Sequence, residues 1–338
     1  MSPAETTAGP LYRRILVMLS GQRVLAALLL LVLFGALRYD SFLGAFNVSS
    51  VLRYDAMFAL TALGMCFVIM TGGIDLSVGT NAALASVVSA LLSSYGLWPG
   101  LLGGLGSGLA VGLVNGFMVT RMRLLPFVAT LSGMLAASGA ALLIAHNQTV
   151  AASYETDFTI LGLGDFLDFP IPAWLAAAAY AIGSLLLNFT RYGRYVLAVG
   201  GNPEAARLMG LPADRVIFAV YIQSGLLAGL AGVLLAAQTN AGLPNEGVGW
   251  ELSSIAAVVV GGTLLTGGRG SVGATLAGVL LLGLVFNILN FENGMGWISL
   301  SAYWQSVIRG GFLFLVVIAG ADRRTRRRWM TQGSARLP

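Results

Sequence analysis

The sequence predicts an all-α polytopic membrane protein with about ten transmembrane helices. Three observations carry that prediction. Only 10% of the 338 residues are charged while 57% are hydrophobic, against roughly 25% charged in soluble globular chains. Apolar runs recur at lengths that suit a bilayer, and mean hydropathy is +0.83. The arginines gather in the short connections between those runs, which is a topological pattern.

A spanning helix needs about 20 predominantly apolar residues. Scanning on that basis centres spans near Leu30, Leu63, Val87, Leu109, Leu135, Ala178, Leu227, Val258, Leu280 and Leu313. The first run, Val24 to Leu37, follows Arg13, Arg14 and Arg23 and meets no small-residue cleavage site, so it reads as an uncleaved signal-anchor. With the N-terminus inside, sixteen of the 19 arginines fall on the inner side; Arg38 and Arg53 fall outside and Arg309 within the last span. The acids Asp40, Asp55, Glu155, Asp157, Asp165, Asp168, Glu246 and Glu292 fall outside. Both termini are therefore expected in the cytoplasm, with a cytoplasmic segment 1–22, one membrane domain over 23–320 and a basic tail over 321–338.

Composition also excludes functions. All basic residues are arginine, and no lysine occurs. A P-loop needs its lysine to reach the β- and γ-phosphates, so this chain has no ATPase site of that kind. The arginines follow topology rather than one soluble face, so nucleic acid is not an expected partner. Membrane lipid is, and the tail "DRRTRRRWM" fixes orientation against it. A single cysteine, Cys66, precludes an intrachain disulfide and reads as packing. His146, the lone histidine, sits at a helix end with no metal-ligand companions, so no metal is expected. The longest outer connection, about Asn147 to Pro172, contains "DFLDFPIPAW" and is too short for a separate domain; Trp174 suits the interface. The 45 glycines fall at small-xxx-small spacing in "GGLGSGLAVG" and "GATLAGVLLLG", which lets helix backbones approach closely in lipid.

Two motifs interrupt the apolar pattern. In "MTGGIDLSVG", residues 70–79, Gly72 and Gly73 end one span, and Asp75 and Ser77 can cap the next. Asp75 reads either as that structural cap or as a gate touching substrate, because ionisable groups at membrane depth are costly and mark pathways. A similar stretch, "TGGRGSVG", starts at Thr266; chance likeness and an internal repeat both stay open. In "RYGRYVLAVGGNPEAARLMGLP", residues 191–212, Asn202 is a good N-cap and Pro203 suits the first helical position. Glu204 and Arg207 agree with the helix dipole, and Gly210 before Pro212 ends the turn. The spacing predicts a helix of about two turns through Ala205 and Ala206, displaying Leu208 and Met209 on an inner connection. Such an apolar knob suits a docking surface.

The pair "TGGIDLSVG" and "VGGNPEAARLMGL", in that order and setting, resembles the permeases of bacterial sugar ABC importers of the ribose, galactose and galactofuranose branch, over about residues 24–320. Residues 290–313, "NFENGMGWISLSAYWQSVIRGGFL", are most similar to the galactofuranose importers. The resemblance implies the ABC importer permease fold shared by sugar, branched-chain amino-acid and vitamin B12 systems, in the bacterial inner membrane. It implies a second permease, identical or homologous, a cytoplasmic ABC ATPase that holds ATP and Mg, and a periplasmic sugar-binding protein. No cofactor is expected on this chain, which is not itself an enzyme. By the same likeness, Asn202 to Gly210 is the ATPase coupling helix.

A neutral sugar wants amide and hydroxyl partners, so Asn81, Asn115, Gln223 and Asn287 on predicted spans are candidate pathway residues; each equally suits an interhelical hydrogen bond. Arg309 would need a partner such as Glu251 or Glu292. Three rivals differ in what they require. A branched-chain amino-acid permease must meet a zwitterion. An ion-coupled secondary transporter needs intramembrane carboxylates, of which Asp75 is the one clear candidate. A membrane enzyme needs a catalytic cluster that the sequence does not offer.

Overall fold

The computed structural model describes residues 23–294 together with Trp304, Val307, Ile308, Gly310, Gly311 and Phe314. The expected segment 1–22, the tail 321–338, Arg309 and the tenth span's centre at Leu313 lie outside the described residues.

The chain begins with α1 (Arg23–Arg38), α2 (Ala45–Met70), α3 (Val78–Leu92), α4 (Leu97–Thr120) and α5 (Pro126–Ile144). A connection with β1 (Val150–Ala151), α6 (Ile160–Leu163), β2 (Asp165–Phe166) and β3 (Phe169–Pro170) leads to α7 (Ile171–Phe189). Two short helices follow, α8 (Arg191–Gly201) and α9 (Pro203–Leu208), then α10 (Ala213–Thr239), β4 (Ala241–Gly242), α11 (Trp250–Val260) and α12 (Val272–Gly294). Nine of the ten expected span centres fall on these helices. Seven helices among the described residues are long and apolar enough to cross a membrane: α2, α3, α4, α5, α7, α10 and α12. α1, with 16 residues, and α11, with 11, are shorter. α11 stops because Gly261 is followed by Gly262 at φ +90, a left-handed conformation that a side chain resists.

Burial sorts the helices into an inner set and a shell. Of the most apolar window of α2, 78% is buried, and 72% for α3, against 28% for each of α4, α5 and α7. A helix apolar all round is one that other helices enclose, and α10 packs against α2, α3 and α4 at the centre. The shell leaves large apolar side chains exposed, among them Leu30, Leu37, Leu102 and Phe189, a surface that lipid covers. This is a multi-pass membrane protein.

Glycine spacing sets the closest contact. A Cβ on Gly108 of α4 would lie 2.5 Å from the Gly225 carbonyl oxygen and from Gly229 Cα on α10. The backbones meet directly, and dispersion between them substitutes for the hydrophobic force absent in lipid. Cys66 is buried, accepting a hydrogen bond from Thr275 Oγ1 at 3.1 Å.

One expectation needs correction. Asp55 is not in an outer connection: α2 starts at Ala45, ten residues earlier, so Asp55 lies within the helix and only 6% exposed. The polar residues of "AFNVSS" lower the local hydropathy, yet no Pro occurs from Ala45 to Met70 and the one glycine, Gly64, lies beyond Asp55. Arg53, likewise expected outside, lies on the same helix. It and Arg38 each find an acid: Arg53 Nη2 lies 2.7 Å from Asp165, and Arg38 Nε 3.8 Å from Glu292. Glu292 also accepts the Tyr39 hydroxyl proton, and Glu251 accepts from the Gly249 N–H. In the 147–172 connection, β1 pairs antiparallel with β4, and β2 forms a hairpin with β3. Trp174 Nε1 donates to the Phe166 carbonyl, which ties α7 to that hairpin.

Candidate functional site

The two motifs meet in space. At the end of α2, Thr71 and Gly72 close the last turn onto Phe67, Val68 and Ile69 carbonyls, with Gly72 at φ +84. The α11–α12 connection carries the similar stretch, with Gly267 at φ +82 and Gly268 at φ +76. The Gly268 N–H donates to the Met70 carbonyl at 2.9 Å. The third participant is the end of α8: a Cβ on Gly200 would strike the Met70 carbonyl and lie 2.6 Å from Gly268 N. Gly200, Gly267 and Gly268 thus meet the end of α2 at one junction where only backbone fits at those three positions.

Beyond Gly201 the chain passes straight into α9. Asn202 Oδ1 accepts the Ala205 N–H at 3.0 Å, Pro203 opens the helix and Gly210, at φ +80, reverses the chain. Glu204 lies in the first turn, and Arg207 in the last turn pairs with Asp214 at 2.7 Å. Ala206 is buried beneath, at 1%, while Leu208 is 89% and Met209 72% exposed. Capping at both ends fixes a helix too short to persist alone, and the junction anchors it. Beside it, α4 and α10 flank a surface cavity of about 660 Å³ with Arg121, Arg207 and Arg215 in its wall.

Asp75 lies just past the junction. Its Oδ1 accepts from the Ser77 N–H at 3.0 Å and the Ser77 hydroxyl at 2.7 Å. Its Oδ2 accepts from the Ser224 hydroxyl at 2.7 Å, and Asn115 Nδ2 donates to Ser77 Oγ at 2.8 Å. The carboxylate therefore ties α3, α4 and α10 together at the break, and it is 1% exposed.

The other amides are dispersed. Asn81 Nδ2 reaches the Gly108 and Gly225 carbonyls at 3.3 and 3.4 Å, between α4 and α10. Gln223 Oε1 accepts from the Tyr192 hydroxyl at 3.1 Å. Asn287 exchanges hydrogen bonds with Asn47 and alone among the four lines a second, smaller cavity.

That cavity, about 390 Å³, lies between α2, α10, α11 and α12. Its size is within the range of about 300–1,000 Å³ usual for small-molecule pockets. Asp55, Gln238 and Asn287 supply polar wall, and Tyr54, Phe58 and Phe286 aromatic wall. Asp55 precedes Met70 by fifteen residues, which places the cavity about 22 Å along α2 from the junction. Asp55 is also a second buried carboxylate, so Asp75 is not the one candidate the sequence suggested. The signal that could have found it is the run from Ala45 to Leu63, which no Gly or Pro breaks.

Comparison with known proteins adds the family. A family model described as "Branched-chain amino acid transport system / permease component" matches residues 47–317. The chain belongs to this permease family. It is 38% identical over 294 residues to the ribose import permease protein RbsC of Bacillus subtilis (strain 168), covering 86% of this chain and 89% of that one. It is 37% identical over 304 residues to the L-arabinose ABC transporter permease protein AraH of Azospirillum brasilense, covering 89% and 88%. RbsC of Escherichia coli (strain K12) is 35% identical over 304 residues, covering 88% and 92%. No solved structure matches the chain. The resemblance drawn from the two motifs is thus matched by relatives named for sugar import, over nearly the whole permease.

Proposed function

We propose that this permease-family chain is the transmembrane subunit of an ATP-binding cassette importer for a monosaccharide of the galactofuranose, galactose or ribose class. The observation that carries this reading is the exposed Leu208–Met209 knob on the capped α9, in a chain that aligns with ribose and arabinose permeases over most of its length. Such a knob on a polar connection is an unburied apolar surface with no role in folding, and a groove on a partner would cover it.

In this reading ten helices span the bacterial inner membrane with both termini in the cytoplasm, and α9 faces an ATPase subunit that binds ATP and Mg. A second permease, identical or homologous, completes the translocation path, and a periplasmic binding protein delivers the sugar to the opposite face. No chemistry occurs on the sugar. ATPase closure presses α9, the glycine junction transmits the displacement to the α2–α3 break, and the path changes the side to which it opens.

A second reading, a branched-chain amino-acid permease, draws on the family's description. A zwitterion needs a cation and an anion presented together. In the cavity lined by Asp55 and Asn287, Arg53 is already committed to Asp165 and to the Gly162 carbonyl at 2.7 Å, which favours the neutral sugar. The test is uptake by the permease reconstituted with its ATPase and binding protein, using labelled sugars and labelled leucine. ATP-dependent sugar accumulation is the expected result. Leucine uptake without sugar uptake would replace the sugar reading by the second. Collapse with a proton uncoupler at maintained ATP would make the chain an ion-coupled transporter.

A further inference from the structure

The wall of the 390 Å³ cavity contains two polar atoms with nothing to bond. Asp55 Oδ2 and Gln238 Oε1 are both buried, and neither has a hydrogen-bond partner. An orphaned buried acceptor destabilises a protein by its whole desolvation cost, so such atoms are few and each requires a reason. Neither oxygen can be served locally. Asp55 lies inside α2 and Gln238 inside α10, where backbone N–H groups are committed to the helix ladder.

The space around Asp55 is also built. Gly283 of α12 stands opposite, and a Cβ there would overlap the Asp55 carboxylate. A larger residue at 283 would take the carboxylate's place. The remaining polar groups of the wall are engaged: Ser254 with Thr61 at 2.9 Å, Ser253 with the Gly249 carbonyl, Asn287 with Asn47 and Arg53 with Asp165. Among the described residues, the wall offers a ligand two bare acceptors, and the cation there, Arg53, is already taken. Beside them lies an aromatic surface, Tyr54 and Phe58, with ring centroids 5.1 Å apart.

That combination selects a chemistry. Acceptors call for donors, so the ligand brings hydroxyl groups. With no free cation among the described residues of the wall, nothing there neutralises an anion, so sugar phosphates and sugar acids are disfavoured. The apolar rings suit the C–H face of a sugar ring. We propose that Asp55 and Gln238 form the hydroxyl-binding site for a neutral sugar within this permease, with Asp55 as the anchor and Gly283 as the residue that leaves it room. The proposal rests on the sugar-permease reading and adds to it the residues that hold the sugar.

The experiment uses the full importer, with ATPase and binding protein, in proteoliposomes. D-ribose, L-arabinose, D-galactose and D-galactofuranose are the labelled probes, at concentrations that saturate the binding protein. Asp55→Asn keeps the side chain's size, and Gln238→Leu removes the second acceptor. Uptake of the transported sugar is expected to fall about tenfold or more in Asp55→Asn, the usual effect of losing a hydrogen bond to a buried charged group, and less in Gln238→Leu. ATP hydrolysis stimulated by loaded binding protein should stay near wild type and the melting temperature should not fall, so ATP consumed per sugar rises. Unchanged uptake in both variants overturns the site. So does a parallel fall of uptake, ATP hydrolysis and melting temperature, which is what a purely structural role predicts. If the unaltered importer carries none of the four sugars, the sugar reading itself fails, and the proposal with it.

Discussion

The Met70 carbonyl and the Gly268 N–H form a 2.9 Å hydrogen bond that joins the end of α2 to the connection between α11 and α12, directly beneath the start of α9. The bond exists because glycine at 200, 267 and 268 lets three backbones converge where a side chain would not fit. Gly267 and Gly268 also hold positive φ, a conformation that opposes a Cβ independently of space.

Gly200→Ala should therefore break the junction rather than adjust it, since the clash is with the Met70 backbone and not with a flexible side chain. A loss of about 1–3 kcal/mol is expected from overpacking, read as a lower melting temperature in detergent. Transport should fall further than that loss explains, because α9 would no longer be seated. Gly201→Ala is the control: nothing lies within 4 Å of its Cβ position, so both measurements should remain near the parent's.

Leu208→Asp separates docking from folding. The side chain is 89% exposed, so the substitution should change stability by less than about 0.5 kcal/mol. Placing a carboxylate on the knob should nevertheless abolish co-purification of the permease with its ATPase and reduce uptake to background. Glu204→Arg, which reverses the charge at the helix N-terminus and opposes the dipole there, should act in the same direction. Normal ATPase association and normal uptake in both variants would remove α9 from the coupling mechanism.

The legible parts of the molecule were those written in local sequence. Apolar length placed the helices, and the Asn202–Pro203 and Gly210 signals placed both ends of α9. The cavity was not legible, because its wall comes from residues as distant as Asp55, Gln238 and Gly283, which share no pattern. Asp55 was misplaced for a local reason: Asn47, Ser49 and Ser50 weaken the hydropathy of the first turns of α2. α8 is not legible in "RYGRYVLAVGG", which has two arginines and three glycines in eleven residues. It is a helix because the Thr190 hydroxyl accepts the Gly193 N–H at 3.3 Å and because Val196 and Val199 are buried in the core. The similarity of 71–79 to 266–273 gained a physical meaning only in three dimensions, where both segments turn through positive-φ glycines and lie against each other.

The Asp75 network should behave as one unit. Asp75→Asn keeps one acceptor oxygen but replaces the other by a donor, which then faces either a Ser77 or the Ser224 hydroxyl. A destabilisation of about 1–3 kcal/mol is expected for the disrupted buried group. Ser224→Ala leaves Asp75 Oδ2 without its donor and should cost a similar amount. The double variant should cost clearly less than the two single losses together, since both remove the same bond. Additive losses in a thermal-unfolding cycle would show that the two residues are not coupled.

One glycine stretch should give opposite results at two positions two residues apart. At Gly108 a Cβ would lie 2.5 Å from backbone atoms of α10, and neither helix can yield without opening the inner packing of the bundle. Gly108→Ala should lower the melting temperature and the yield of folded protein in the membrane, and Gly108→Leu should prevent accumulation there. Gly106 lies on the same helix, with nothing within 4 Å of its Cβ position. There alanine only restricts the unfolded chain and favours the helix, so stability should be unchanged or raised by up to about 1 kcal/mol. Equal effects at the two sites, in either direction, would mean that α4 and α10 do not meet along Gly108, and the packing that carries Asn81 and Asn115 would need a different register.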